Sequence, residues 1–369
     1  MKEKRDWKQL ARCIYGAGLF LLCLTVESGF GQPQAAREVS AARACLMLVR
    51  APEIQKALGF DAPQCRSVMA VVDQVDLGLW QLRDLPGDRG NPLVRPLQQK
   101  LREGLAAALR PDQIKRLNQL VLRLEGWRTL QLPSVGDQLQ LTDLQKQEYT
   151  EFVKGLQSRG GRTQRDLSWS ESAWIQRGLT ATQREKLKHL LGVPFDFSHC
   201  RMLEVKAPEI VGVDHWINSA PLKMDDLRGK VVVVNFWTHG CINCIHNLPH
   251  YRKWYAQLPR DRVTMLAFHT PETPAEQDLV GLKKAVKVGD LRYPIAVDNQ
   301  KANWKTWGND IWPSVYLIDK QGYVRDWWYG ELNWQGATGE KQMSDRIYQL
   351  LAEKELATAS TNTTTSASH

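Results

Sequence analysis

Cys241 and Cys244 are the residues of this chain best suited to covalent chemistry. They close the run Lys230–Cys244, KVVVVNFWTHGCINC. Four valines and two aromatics predict a buried strand, and the cysteines follow it across a short turn and open a helix. At a helix start, unpaired backbone N–H groups and the helix dipole favour a thiolate. Cys241 is therefore expected to be the exposed nucleophile. Cys244, one turn behind, lies close enough to form a disulfide with it. The chemistry this spacing offers is thiol–disulfide exchange.

The elements around the pair alternate. After the strand Val231–Trp237 the pattern predicts a helix over Cys241–Gln257, kinked at Pro249, and a strand over Val263–Phe268. A helix over Pro274–Val288 starts at Thr273-Pro274, and a short strand covers Tyr293–Val297. Ser314–Ile318 and Tyr323–Trp328 read as a hairpin around Asp319-Lys320-Gln321-Gly322, and Gly339–Glu355 as a last helix. Upstream, residues 36–191 read as helical throughout: Val68, Val72, Val75, Leu79 and Leu82 recur at helical spacing, as do Ile114, Leu117, Leu120, Val121 and Leu124. Four segments, Phe60–Gln64, Leu109–Gln113, Leu141–Gln145 and Leu179–Gln183, each place an apolar residue four before a Gln. Each is expected to open a helix, with Asp61, Thr142 and Thr180 as N-caps. They resemble the LTxxQ motif of periplasmic helical proteins such as the Spy-like chaperones. Residues 192–208, with Gly192, Pro194 and Pro208, separate the two patterns.

A C-x-x-C pair alone also occurs at zinc and haem sites. Zinc usually needs a second pair, which is missing downstream, and c-type haem needs His where Ile245 stands. The surrounding text is more specific. The valine strand, Phe236-Trp237, the cysteine pair and Trp312-Pro313-Ser314 before Val-Tyr-Leu-Ile-Asp occur in order. So do Trp216–Leu222, Asp226–Lys230, His269-Thr270-Pro271-Glu272 and Gly330-Glu331-Leu332. Together they resemble the TlpA-like/redoxin group of thiol–disulfide oxidoreductases, closest to the FWT-x-x-CINC branch. The resemblance implies an α/β thioredoxin-like C-terminal domain, a central mixed sheet flanked by helices, after an all-α domain. It implies that Cys241 attacks and Cys244 resolves. It implies that Pro313 is a cis-proline facing the pair, with Trp237 and Trp312 walling a substrate groove. No metal and no cofactor beyond the cysteine pair is implied.

Two positions depart from the pattern. Asn235 stands where thioredoxins carry a buried Asp, and Asn247 where TlpA-like reductases often carry Glu. His239, His246 and His250 surround the motif and are the candidate proton shuttles, because imidazole titrates in the useful range. A peroxidatic role is disfavoured, since the place of its required Pro is Val234.

The 369-residue length accommodates two cores, and the net charge of +9 is spread rather than clustered, so no nucleic-acid partner is expected. Lys2, Lys4, Arg5, Lys8 and Arg12 precede the apolar run Ile14–Val26, which is too short to span a bilayer easily. This reads as a signal peptide over 1–32, with an uncleaved anchor as the other possibility. The expected organisation is a helical domain over 36–198, a thioredoxin-like domain over 203–357 and a disordered Ser/Thr tail over 358–369. Export to the periplasm places the chain in a disulfide-permissive compartment. Cys45 and Cys65 either close a short disulfide or are small buried hydrophobes, and Cys200 is left over. The expected partners are disulfide-bearing exported proteins, and a membrane thiol-reducing transporter as electron donor in the manner of the family. Two other functions fit the same residues. One is Cu(I) handling by the cysteines, for which the spacing of His246 is awkward. The other is a helical holdase or docking protein with an accessory redox domain.

Overall fold

The computed structural model describes residues 34–84, 87–158, 172–201 and 203–353. The expected signal segment and tail lie outside them. The chain divides into two units, with the boundary between Glu204 and Val205.

The first unit is helical: α1 Gln34–Arg50, α2 Pro52–Ala57, α3 Ala62–Asp73, α4 Asp76–Gln81, α5 Gly87–Ala108, α6 Pro111–Glu125, α7 Pro133–Leu139, α8 Asp143–Ser158, α9 over 172–178 and α10 Ala181–Leu191. The i, i+3, i+4 apolar stripes supply its core. Ala42, Cys45, Leu46 and Val49 of α1 meet Val94, Leu101 and Leu105 of α5 and Leu117, Leu120 and Val121 of α6. Cys45 and Cys65 are both free thiols. Cys45 is fully buried, and burial pushes its thiol up to about 12, so it serves as a small core hydrophobe. Cys200 packs partly buried against the same core. Phe195 and Phe197 do so too, and Arg50 donates to the Leu203 carbonyl at 3.0 Å, so residues 192–204 are bound to this unit.

The four Gln segments all open helices, and they work in two pairs. Gln64 and Gln113 exchange amide hydrogen bonds at 2.9 and 3.1 Å. Gln145 and Gln183 do the same at 2.9 and 3.0 Å. In each pair, each Gln also donates to a carbonyl ending the helix that precedes its partner. Gln64 reaches Ala108, Gln113 reaches Leu58, Gln145 reaches Gly178 and Gln183 reaches Gln140. Three of the four oxygens also accept the N–H three residues back, from Arg110, Thr142 and Thr180. One side chain thus satisfies groups at two helix ends, which otherwise lack intrahelical partners.

The second unit is a six-stranded sheet in the order β1-β4-β3-β2-β5-β6. Its strands are β1 His215–Ile217, β2 Val231–Trp237, β3 Val263–His269, β4 Ile295–Val297, β5 Ser314–Ile318 and β6 Val324–Tyr329. β2, β3 and β4 run parallel; β1, β5 and β6 pair antiparallel. The helices are α11 Ile242–Gln257, α12 Leu279–Val288, α13 Ala302–Thr306 and α14 Gly339–Ala352. This is a thioredoxin-like mixed sheet. β2 is buried along its whole length, as its near-continuous apolar run, broken only by Asn235, requires. Val231, Val233 and Trp237 pack with Cys244, Leu248, Tyr251 and Trp254 of α11 and with Met343, Ile347 and Leu350 of α14. On the opposite face Phe236 stacks on Phe268, with ring centroids 4.8 Å apart, among Trp304, Trp307 and Tyr316.

The helix expected over 274–288 is broken. Pro274–Gln277 forms one 3-10 turn, and Asp278 is extended. Its side chain accepts from Val280 and Gly281 N–H, so it caps a new helix instead of continuing the old one. The hairpin turn follows the expected residues: Gly322 N–H donates to Asp319 C=O at 2.9 Å, and Gly322 takes φ 86°, which a side chain would oppose.

Candidate active site

Cys241 is the N-cap of α11. Its backbone is extended and its Sγ accepts from Cys244 N–H at 3.4 Å. Its thiol is lowered to about 7, chiefly by a hydrogen bond from the Cys244 thiol. Partial burial opposes this, and the Cys244 and Asn243 N–H groups add to it. Cys244 is fully buried, and burial, then its bond to the Cys241 sulfur, pushes its thiol far up. The two sulfurs are thus unlike: one ionises near neutrality, and the other stays protonated and donates to it.

The Trp312–Pro313 peptide bond is cis. Pro313 C=O accepts from Gly330 N–H at 2.8 Å, and Trp312 Nε1 donates to Thr270 C=O at 3.0 Å. Thr270 N–H donates in turn to Trp237 C=O at 2.9 Å, which ties the segment after β3 to the end of the cysteine-bearing strand. Trp312 is half-buried and stacks on Trp304, with centroids 3.7 Å apart and Lys301 Nζ 5.1 Å above the ring. Trp237, expected beside Trp312 as a groove wall, is 1% exposed and belongs to the core. Ile242, Ile245 and Ile311 are exposed beside the cysteines and the cis peptide in sequence.

The three candidate histidines separate. His239 Nδ1 lies 3.0 Å from His269 Nε2, and the two rings stack. His269 is fully buried; burial, then the neighbouring His239, holds its imidazole down to about 3, so it is neutral. His246 Nδ1 lies 3.1 Å from Glu331 Oε1 at the protein surface, and His250 is partly exposed on the same helix. Asn235 is fully buried in β2, with its amide donating to Leu266 C=O at 3.3 Å. Asn247 is a clip: it donates to Gly330 C=O at 3.1 Å and accepts from Leu332 N–H at 2.9 Å, fixing α11 to the segment after β6.

Sequence reading missed two carboxylates. Glu272 raises both thiols through its charge. Glu276 is buried and accepts from Thr238 Oγ1 at 2.6 Å. The signal was present in Thr-Pro-Ala-Glu, Thr273–Glu276, a capping-box pattern whose Glu turns toward the cysteine loop. Among the described residues no group of three or more His, Cys, Asp or Glu is arranged to hold a metal ion.

A mixed thioredoxin-like sheet, a cysteine pair at a helix start and a cis-proline just before the strand paired with the cysteine-bearing one define an oxidoreductase domain of the thioredoxin-like class. The model of the AhpC/TSA family matches residues 204–327. The thiol-disulfide oxidoreductase ResA of Bacillus cereus is 31% identical over 130 residues, which cover 35% of this chain and 71% of ResA. The chain belongs to the AhpC/TSA family of thioredoxin-like proteins. Protein DipZ of Mycobacterium bovis is 38% identical over 128 residues, 34% of this chain and 18% of DipZ, so the chain spans under a fifth of that relative. The crystal structure of the thioredoxin-like superfamily protein SPOA0173 aligns with 40% of this chain and 97% of its own at 30% identity and TM-score 0.37.

Proposed function

We propose that this protein is an exported thiol–disulfide oxidoreductase that reduces or exchanges disulfides in other proteins through Cys241 and Cys244. The observation that carries this reading is the asymmetry of the pair: a half-exposed sulfur lowered to about 7, hydrogen-bonded by a buried thiol. The Cys241 thiolate attacks one sulfur of a substrate disulfide, forming a mixed disulfide and releasing one substrate thiolate. Cys244 then gives up its proton and attacks the Cys241 sulfur, releasing the second. The substrate gains two electrons, one proton from Cys244 and a second from water, and Cys241–Cys244 becomes the disulfide. An external dithiol must reduce it again; a membrane thiol-reducing transporter is the donor we propose. Within the family the FWT-x-x-CINC run favours the TlpA-like branch, and the helical unit carries LTxxQ-like segments. The periplasm is the proposed location, on the strength of the signal-like residues 1–32.

Equilibration with glutathione or dithiothreitol buffers, with trapping of free thiols, tests the assignment. A reversible two-electron couple at Cys241–Cys244 is expected, and the Cys244→Ser variant should accumulate mixed disulfides at Cys241. A potential near about −270 mV marks a reductant, and one near about −120 mV an oxidant. Absence of any reversible couple overturns the proposal.

A further inference from the structure

We propose that Glu276 is a positioning residue for the redox pair, gripping the turn Thr238–Cys241 from beneath through the Thr238 hydroxyl and the bare Cα of Gly240. The inference rests on the redox reading above.

Oε2 of Glu276 accepts from Thr238 Oγ1 at 2.6 Å, Glu272 N–H at 2.6 Å and Thr273 N–H at 3.4 Å. The carboxylate is thus anchored to its own turn on one side and to the cysteine loop on the other. Burial opposes its ionisation, but these hydrogen bonds outweigh burial and keep it a carboxylate. His269 Nε2 lies 3.3 Å from Thr238 Oγ1. The same ring nitrogen lies 3.0 Å from His239 Nδ1, so the Thr238 hydroxyl and the second imidazole meet at one atom of His269. The second carboxylate oxygen occupies the space a side chain at position 240 would need: a Cβ there would stand 2.1 Å from Glu276 Oε1. Gly240 has no left-handed backbone, so space rather than conformation demands the glycine.

The turn held this way meets both sulfurs. Thr238 C=O accepts from Cys241 N–H at 3.4 Å, and the Thr238 N–H is a hydrogen-bond donor to the Cys244 sulfur. Cys241 owes part of its acidity to lying over the N–H groups of Asn243 and Cys244, an alignment set by where the turn delivers it. The charge of Glu272 raises both thiols, so a carboxylate that acted through its charge would do the same. The titratable groups packed around Glu276 are His239, His269 and Glu272.

This gives opposite signs for two neighbouring carboxylates. If Glu276 acted through its charge, Glu276→Gln would make Cys241 more acidic. If it positions the turn, the same change makes Cys241 less acidic. The test is the pH profile of Cys241 alkylation by iodoacetamide, read on the Cys241 peptide by mass spectrometry in the full-length reduced protein. Glu276→Gln and Thr238→Val are expected to raise the Cys241 pKa by about one unit, cutting the thiolate fraction at pH 7 about fivefold and slowing alkylation there about twofold once the more basic thiolate's higher nucleophilicity is counted. Thr238→Ser, which keeps the hydroxyl, restores the parent profile. Glu272→Gln lowers the pKa. Gly240→Ala shifts it in the same direction as Glu276→Gln, and the two together shift it by less than their sum. Should Glu276→Gln fail to fold, the Thr238→Val and Thr238→Ser pair decides with the carboxylate in place. A Glu276→Gln pKa that falls as in Glu272→Gln, or a Thr238→Val profile identical to that of the parent, overturns the proposal. Thiol acidity is read without turnover. Loss of the redox reading would instead appear as the absence of a reversible couple in the parent protein.

Discussion

Replacing Cys244 tests where the acidity of Cys241 comes from. The Cys244 thiol is the largest influence lowering Cys241 from 9.0 to about 7. Cys244→Ala removes that donor and leaves the backbone N–H groups of the helix start. Cys244→Ser keeps a hydroxyl donor of similar reach. At pH 7 a thiol of pKa 7 is about half thiolate, and one of pKa 9 about 1%. With the N–H groups still present, Cys244→Ala should settle between these limits. Its Cys241 thiolate fraction at pH 7 should then fall about five- to fiftyfold, and its alkylation rate, after the gain in thiolate nucleophilicity, about two- to fivefold. Cys244→Ser should lie between Ala and the parent. A less acidic thiolate is more nucleophilic, so the plateau rate above pH 9 should rise about threefold per unit of pKa gained. Iodoacetamide profiles from pH 5 to 10, quantified on the Cys241 peptide, separate Cys241 from the other free thiols. An apparent pKa that stays at about 7 in Cys244→Ala would refute the reasoning and assign the acidity to the helix start alone.

Asn247→Ala should destabilise the reduced protein by about 2 kcal/mol in urea unfolding, because it strands the buried Leu332 amide and frees the part-buried Gly330 carbonyl. His269 is held neutral down to about pH 3 when folded, against about 6.5 when unfolded. Below pH 6.5 the unfolded chain therefore binds a proton that the folded chain refuses. Stability falls as pH drops through that window, by about 3 kcal/mol from pH 6.5 to 4 for this residue. Urea titrations of His269→Asn at pH 7 and pH 4 should show that slope reduced; an unchanged slope contradicts the assignment. In the helical unit, Gln64→Ala and Gln113→Ala should each destabilise, and a double-mutant cycle should return a coupling of about 1 kcal/mol.

What the sequence made legible follows from range. β2 matches its expected bounds, Val231–Trp237, because an apolar run broken only by Asn235 between a Gly-Lys start and a turn leaves little choice. Cys241 at the N-cap and the hairpin after β5 are local in the same sense. β1 and α13 escaped because elements of three and five residues carry too little periodicity to register. The break at Asp278 escaped because one extended residue costs the apolar pattern nothing. The polar group under the cysteine loop was invisible for another reason. Parallel pairing of β2 with β3 places Trp237 opposite His269 and so brings Thr238 and His239 against His269 and Glu276. Their separation of 30 to 38 residues leaves no trace in local spacing.

The reciprocal glutamine pairs of the helical unit bind sequence positions into couples. Gln64 needs an amide at 113, and Gln145 needs one at 183, because each side chain supplies the other's donor and acceptor at once. A drift at one member leaves helix ends open on both sides of the joint, so neither member can change alone without loss. Across relatives carrying this unit, positions 64 and 113 should therefore covary as one inherited character, and 145 and 183 as a second. Insertions should gather between the joints rather than within them.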